Sequence, residues 1–196
     1  MKAIIVGNSA SILNRNNGYL IDSFDVVIRL NKFKIKGYEK YVGTKTDIYC
    51  SKWLNMSYNL DNIELFKEIW LPYPIPPNWW TSDGNFKEVD LETHNYYINK
   101  FNLNNKLLKY MPSECLPEFE DVFKKTCQPS TGLIAIMMAI KLLSNYTIQY
   151  TGFDAFATGW YWNTSHNCVK NMKNSILFEK IFMNYIYDKY GVQKIY

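Results

Sequence analysis

The 196-residue chain predicts an α/β protein, a mostly parallel central sheet flanked by helices in a single domain. Three observations carry that expectation. Lys2–Val6 is a short apolar run, and the polar turn Gly7–Ser11 follows it directly. Leu133–Leu143 is apolar on nearly every face, the mark of a helix buried in a core. Thr147–Thr151 is β-branched and aromatic and stops at Gly152, so a strand returns at once after that helix.

Taken in order, Lys2–Val6 reads as a buried first strand, and Ile12 and Leu13 open a short helix or turn. Strand, tight polar turn, helix is how nucleotide-binding α/β units begin. With a single glycine it is not the dinucleotide fingerprint, which argues against a nicotinamide-dependent oxidoreductase. Asp25–Leu30 reads as a second buried strand that delivers Asn31 at its carboxyl end, where open α/β sheets bind ligands. Lys32–Val42 is basic and turn-rich, and Lys45–Cys50 reads as a third strand. Glu64–Trp70 reads as a helix running into a strand. Leu71–Pro77 holds four prolines and suits neither a helix interior nor a central strand. Asn78–Asp90 is expected to be a mobile loop carrying Trp79 and Trp80. Thr93–Tyr110 reads as a helix and then a short strand, and Pro117–Lys125 as a further helix.

Pro129 stiffens the entry to the core helix, Ser130 or Thr131 can cap it, and Ser144 and Asn145 end it. Gly132 lets a ligand approach the backbone. A capped, buried helix start beside small hydroxyl side chains is a ready anion site. Asp154–Lys173 is a loop dense in aromatic and polar residues, with Phe156, Trp160, Tyr161, Trp162 and His166. Ser175–Tyr190 has the spacing of an amphipathic helix, with Asn174 or Ser175 as its cap and Gly191 as its end. Val192–Tyr196 reads as a last strand. There are no internal repeats and no long linker.

Composition narrows the class of function. Hydrophobic residues make up 47% and charged residues 20%, as in a soluble globular protein. The aromatic share of 17% suits stacking on sugars and bases as well as core filling. A net charge of +4 fits an anionic small ligand and is too weak to argue for nucleic acid. The first apolar run is too short for a signal peptide or a membrane span, so no transmembrane segment is expected. The four cysteines, Cys50, Cys115, Cys127 and Cys168, lack metal-ligand spacing and read as free thiols of a reducing, cytoplasmic setting.

Three blocks, in order, resemble the large sialyl motif of the animal-type sialyltransferases, glycosyltransferase family 29. They are Val6-Gly7-Asn8-Ser9, then Ile21 through Asn31, then Gly37 through Asp47. Pro129-Ser130-Thr131-Gly132 through Tyr150-Thr151-Gly152-Phe153 is similar to the family's small motif. The resemblance implies a Rossmann-like GT-A variant and inverting transfer of sialic acid from CMP-sialic acid to a glycan hydroxyl. It carries over Gly7, Asn8, Ser9 and Asn31 as contacts to the CMP part. Ser130, Thr131 and Gly132, with Gly152, become the site for cytidine and the sugar carboxylate. Residues 1–50 and 127–154 would form the nucleotide-sugar core, and 51–126 and 155–173 the acceptor-side loops. There Trp53, Trp79, Trp80, Trp160 and Trp162 are candidate sugar platforms. The likeness points to a short soluble member of bacterial or viral type.

Two further family motifs are altered. The third aligns with Trp160-Tyr161-Trp162-Asn163, so Trp160 stands where the family has a phosphate-facing histidine, and the resemblance carries over Trp160 and Tyr161 as substrate-binding residues. The very small motif, histidine, four residues, glutamate, reads Asn174 through Glu179, with Asn174 at the position of the family's base and Glu179 retained, so the resemblance implies a catalytic place for both. Asparagine cannot take a proton from a hydroxyl, and losing such a base typically costs about 10²–10⁴-fold in rate. His166 can serve instead, the position can be a mutated one, or the chain binds a CMP-sugar without turning it over. No Asp-x-Asp pair is present, and a CMP leaving group can be stabilised by side chains and a helix dipole, so no metal or other cofactor is expected. CMP-Kdo is the alternative donor, because it too joins an anomeric carboxylate to CMP.

Overall fold

The computed structural model describes residues 1–51, 66–72, 91–100, 102–103, 108–123, 129–155, 157–163 and 173–195. Strands β1 (Lys2–Val6), β2 (Val26–Leu30), β3 (Ile48–Cys50), β4 (Glu68–Leu71), β5 (Leu108–Tyr110), β6 (Thr147–Thr151) and β7 (Gln193–Lys194) form one sheet. Its order is β5-β4-β3-β2-β1-β6-β7, and every pairing is parallel. The helices are α1 (Gly18–Asp22), α2 (Glu39–Val42), α3 (Leu91–Lys100), α4 (Leu116–Phe123), α5 (Thr131–Leu142) and α6 (Lys173–Tyr190).

Strand sequence explains the layers. A parallel sheet covered on both faces needs apolar residues at successive positions, and Ala3, Ile4 and Ile5 of β1 are fully buried. Alternate side chains then feed opposite cores. Ala3 and Ile5, with Ile28, Leu30, Ile48 and Cys50, meet α5, the α4 residues Phe119 and Phe123, and the α6 residues Phe182 and Ile186. Ile4 and Val6, with Val27, meet Ile12, Ile21 of α1, Val42 of α2 and Tyr161. Farther along that second face, Tyr49, Ile69 and Leu71 gather with Phe66 and Leu103.

α5 is the central brace. Its residues Thr131 to Ala139 are all buried, and each large apolar side chain so placed contributes about 1.5–3 kcal/mol relative to exposure. Arg29 is the polar exception on β2. Its guanidinium donates from Nη2 to Val42 O at 2.7 Å and from Nε to Lys45 O and Thr46 Oγ1 at 3.0 and 2.9 Å. This pins the turn into β3, and burial depresses the Arg29 pKa to about 10.

Several boundaries differ from the sequence expectation. β3 starts at Ile48 rather than Lys45, because Asp47 turns its carboxylate back to accept from Val27 N at 2.9 Å. β4 runs through Leu71, with Pro72 just beyond it. α5 stops at Leu142, before Ser144. α6 begins at Lys173, so Asn174 and Ser175 lie inside its first turn and neither precedes the helix as a cap. Helices α1 and α2 were not foreseen. Asp22 holds them together by accepting from the backbone N–H groups of Thr44 (2.8 Å) and Lys45 (2.9 Å). The expected loop 78–90 lies outside the described residues.

Candidate active site

β1 pairs with β2 on one side and β6 on the other. Strand order therefore reverses direction at β1, and a crevice opens beyond its carboxyl end. Gly7 N donates to Thr151 O at 2.8 Å and Ser9 N to Gly152 O at 3.0 Å, carrying the β1–β6 contact past the strands. The junction has no room for a side chain. A Cβ on Gly7 would stand 2.3 Å from Gly152 O and 2.7 Å from the Phe153 ring. One on Gly132, at the start of α5, would stand 2.4 Å from Phe153 Cε1. Gly152 also has φ +70°, a left-handed conformation glycine adopts without cost.

Asn8 ties the tip of β1 to that of β2. Its Nδ2 donates to Leu30 O and Lys32 O, both at 3.0 Å, straddling Asn31. Asn31 sits at φ 45°, a region asparagine tolerates, and its N–H donates to Cys50 O at 3.0 Å. On the opposite side Ser130 caps α5: its Oγ accepts from Leu133 N at 3.2 Å. Glu179 of α6 in turn grips Ser130, accepting from its N–H at 2.8 Å and its Oγ–H at 3.1 Å. Glu179 is only 4% exposed. Burial pushes its pKa up to about 7, with the two Ser130 hydrogen bonds opposing the rise. The next two amides of α5, those of Thr131 and Gly132, have no partner among the described residues. Free amides at a helix start favour an anion.

The third wall is the loop after β6. Ala10 N donates to Gly159 O at 2.8 Å, and Ser9 and Trp160 form a β-bridge. Trp160 leans on Trp162, ring centroids 4.6 Å apart. The resulting cleft is open to solvent and has a cavity volume of about 130 Å³. Gly7, Asn8, Ser9 and Asn31 line it from the strand tips, and Ser130, Thr131, Gly132 and Glu179 from the helices. Gly152 and Trp160 complete the predicted set.

Tyr161 departs from it. It does not line the cleft; its ring is buried against Tyr38 on the far face of the sheet. Its hydroxyl accepts from Lys34 N at 2.9 Å and donates to Lys34 O at 2.6 Å, clamping the segment after β2. Asn174 is the second residue of α6, and His166 lies outside the described residues. Leu30, Phe153, Asp154, Ala155 and Thr158 also line the cleft and were not foreseen. Among the described lining residues the ionisable ones are Asp154 and Glu179, and none is a lysine, arginine or histidine. No group of three or more potential metal ligands occurs among the described residues.

Fold and cleft together define an α/β protein whose strand tips and helix start converge on one anion-compatible site. The profile of Glycosyltransferase family 29 (sialyltransferase) matches residues 1–185, and the chain belongs to that family. It is 27% identical over 210 residues to the type 2 lactosamine alpha-2,3-sialyltransferase of Mus musculus, covering 96% of this chain and 63% of the mouse protein. Against CMP-N-acetylneuraminate-beta-galactosamide-alpha-2,3-sialyltransferase 1 of Gallus gallus it is 29% identical over 172 residues, covering 84% of this chain and 48% of the chicken protein. The chain thus spans less than two thirds of either relative. A stretch of 48 residues is also 48% identical to a beta-1,6-galactosyltransferase of Arabidopsis thaliana, covering 24% of this chain and 12% of the plant protein. A crystal structure of a mammalian sialyltransferase superposes with a TM-score of 0.58 at 20% identity, covering 99% of this chain and 68% of that one, a likeness of fold.

Proposed function

We propose that the chain transfers sialic acid from CMP-sialic acid to a glycan hydroxyl, with inversion and without a metal, on a Rossmann-like GT-A variant of the fold. The observation that carries this reading is the meeting of Asn8, Asn31 and the Ser130–Gly132 helix start in one cleft. The long matches to sialyltransferases support the donor class, whereas the short stretch shared with a galactosyltransferase leaves the sugar open. In the proposed step the acceptor hydroxyl oxygen attacks the anomeric carbon from the side opposite the phosphate. The bond to the phosphate oxygen breaks, and CMP leaves with the electron pair. The Thr131 and Gly132 amides offer hydrogen bonds to negative charge on the donor, and the α5 dipole adds to them. Glu179 acts through Ser130 as a positioning residue, since both its oxygens are engaged there.

The acceptor proton goes to a base, and we assign His166 that task because Asn174 cannot perform it. His166→Ala is expected to lower kcat about 10²-fold or more and to remove one ionisation near neutral pH from the pH–rate profile, leaving that of Glu179. An unchanged profile would clear His166 of the role. The test of the whole reading is CMP release from CMP-sialic acid in the presence of a galactoside acceptor, with excess EDTA in parallel. Activity in EDTA supports it; loss restored by magnesium overturns the metal-independent step. CMP-Kdo run beside CMP-sialic acid decides the donor.

A second reading, a CMP-sugar-binding protein with impaired catalysis, is favoured by Asn174 and Trp160 at two positions where family members carry histidine. If CMP raises the melting temperature while Asn174→His still yields no transfer, that reading takes precedence. A cytoplasmic place of action is proposed from cysteine spacing, and the buried free thiols of Cys50 and Cys115 suit it.

A further inference from the structure

The cleft contains a carboxylate that the proposed donor reading leaves without a task. Asp154 stands two residues beyond Gly152, half-buried, and lines the same cleft as the free amides of α5. Its Oδ2 accepts from Thr158 Oγ1 at 2.6 Å. Thr158 Oγ1 is 3.1 Å from Ser9 Oγ, which is 2.7 Å from Ser11 Oγ. This row of hydroxyls fixes one carboxylate oxygen against the tip of β1. Oδ1 has no partner among the described residues, and no cationic side chain among the described lining residues neutralises it.

A carboxylate in a site for an anionic ligand is repelled by phosphate and by a sugar carboxylate alike. It is compatible with that ligand where it faces neutral donors. A ribonucleotide presents such donors as a vicinal pair, the 2′- and 3′-hydroxyls. An acidic side chain just past a parallel strand is well placed for this task, as in dinucleotide-binding sheets. The anchorage of Asp154 on Thr158 and Ser9 keeps it at the strand tips, alongside Gly7 and Gly152, the wall the nucleotide must approach.

Resting on the CMP reading above, we infer that Asp154 is a binding residue for the ribose: Oδ1 accepts from its hydroxyls, and Thr158 and Ser9 hold the carboxylate in register. The cleft then selects a ribonucleotide over its deoxy analogues.

Calorimetric titration of CMP, 2′-deoxy-CMP and 3′-deoxy-CMP into wild type, Asp154→Ala and Asp154→Asn tests this. A hydrogen bond to a charged group predicts that wild type prefers CMP over at least one analogue by about tenfold or more. Asp154→Ala should bind CMP only as well as that analogue, and Asp154→Asn should keep part of the preference. If the Asp154 variants do not fold, Thr158→Val is expected to shrink the preference by releasing the carboxylate. Equal binding of all three nucleotides by wild type overturns the inference and leaves the CMP reading intact. So does an Asp154→Ala protein that keeps the full preference yet loses kcat at unchanged KM, which would mark a proton-accepting role. Failure of wild type to bind CMP at all overturns both readings.

Discussion

Glu179 gives up nearly all contact with water to hold Ser130. Its folded pKa of about 7 lies above the ordinary 4.5, so the native state binds its proton more tightly than the unfolded chain does. The stabilisation from that proton is complete below about 4.5 and is lost as pH rises through about 7. Glu179→Gln keeps an acceptor for Ser130 N and removes the charge. The variant should therefore match wild type near pH 5 and exceed it near pH 8, by up to roughly 3 kcal/mol, in urea unfolding at the two pH values. At this scale the sequence was informative where a residue type has one obvious use. Ser130 as a cap and Asn31 as a strand-end residue both fall in this group. It was silent on Asp154 and Phe153, because which side of a turn a side chain takes depends on contacts far away in the chain. Tyr161 shows the same limit: its neighbours Trp160 and Trp162 gave no clue that its hydroxyl would close on Lys34.

Among the elements, α5 was legible over almost its full length, since ten of the eleven residues from Leu133 to Leu143 are apolar, Lys141 being the exception, and such a run admits few other readings. The start of α6 was not. Asparagine and serine are good caps, yet they are also tolerated in a first turn whose N–H groups lack helical partners anyway. Helices α1 and α2 have five and four residues and no periodic pattern to read; Asp22, not local propensity, sets them. The junction of α5 with α6 can be probed directly. Ser130→Ala removes the cap and one donor to Glu179, and should lower stability by about 1–2 kcal/mol, seen as a fall in the urea midpoint with unchanged slope. Because the same change loosens the helix start that faces the cleft, CMP affinity should fall with it in calorimetry.

Across the whole molecule, one face of the sheet is closed by a second set of contacts that nothing in the motifs announced. Glu118 of α4 accepts from Tyr185, Tyr190 and Lys189 of α6 and pairs with Lys141 of α5. Burial pushes its carboxyl up, but the hydrogen bonds from Tyr185, Tyr190 and Lys189 outweigh this and bring it to about 2. Its stabilisation is thus present above about 4.5 and lost as pH falls toward 2, opposite in sense to that of Glu179. The two together predict greatest thermal stability on the acidic side of neutrality, with Tm falling on either side. Beneath this network Phe182 stacks on Phe119, centroids 4.9 Å apart, and touches Phe123. Phe182→Ala should cost about 3–5 kcal/mol in chemical unfolding. The strand order was beyond reach from sequence, since pairing partners of parallel strands are set by crossovers whose lengths do not reveal direction. Finally, the close packing of Gly7 and Gly132 on the Phe153 ring, and of Gly152 on the backbone of Gly7, bears on how this chain can diverge. Open clefts are where evolution usually experiments most freely, yet in a saturation library these three positions should return glycine alone. Novelty at this mouth is therefore confined to neighbours such as Trp160, whose side chain lines the cleft without parting sheet from helix.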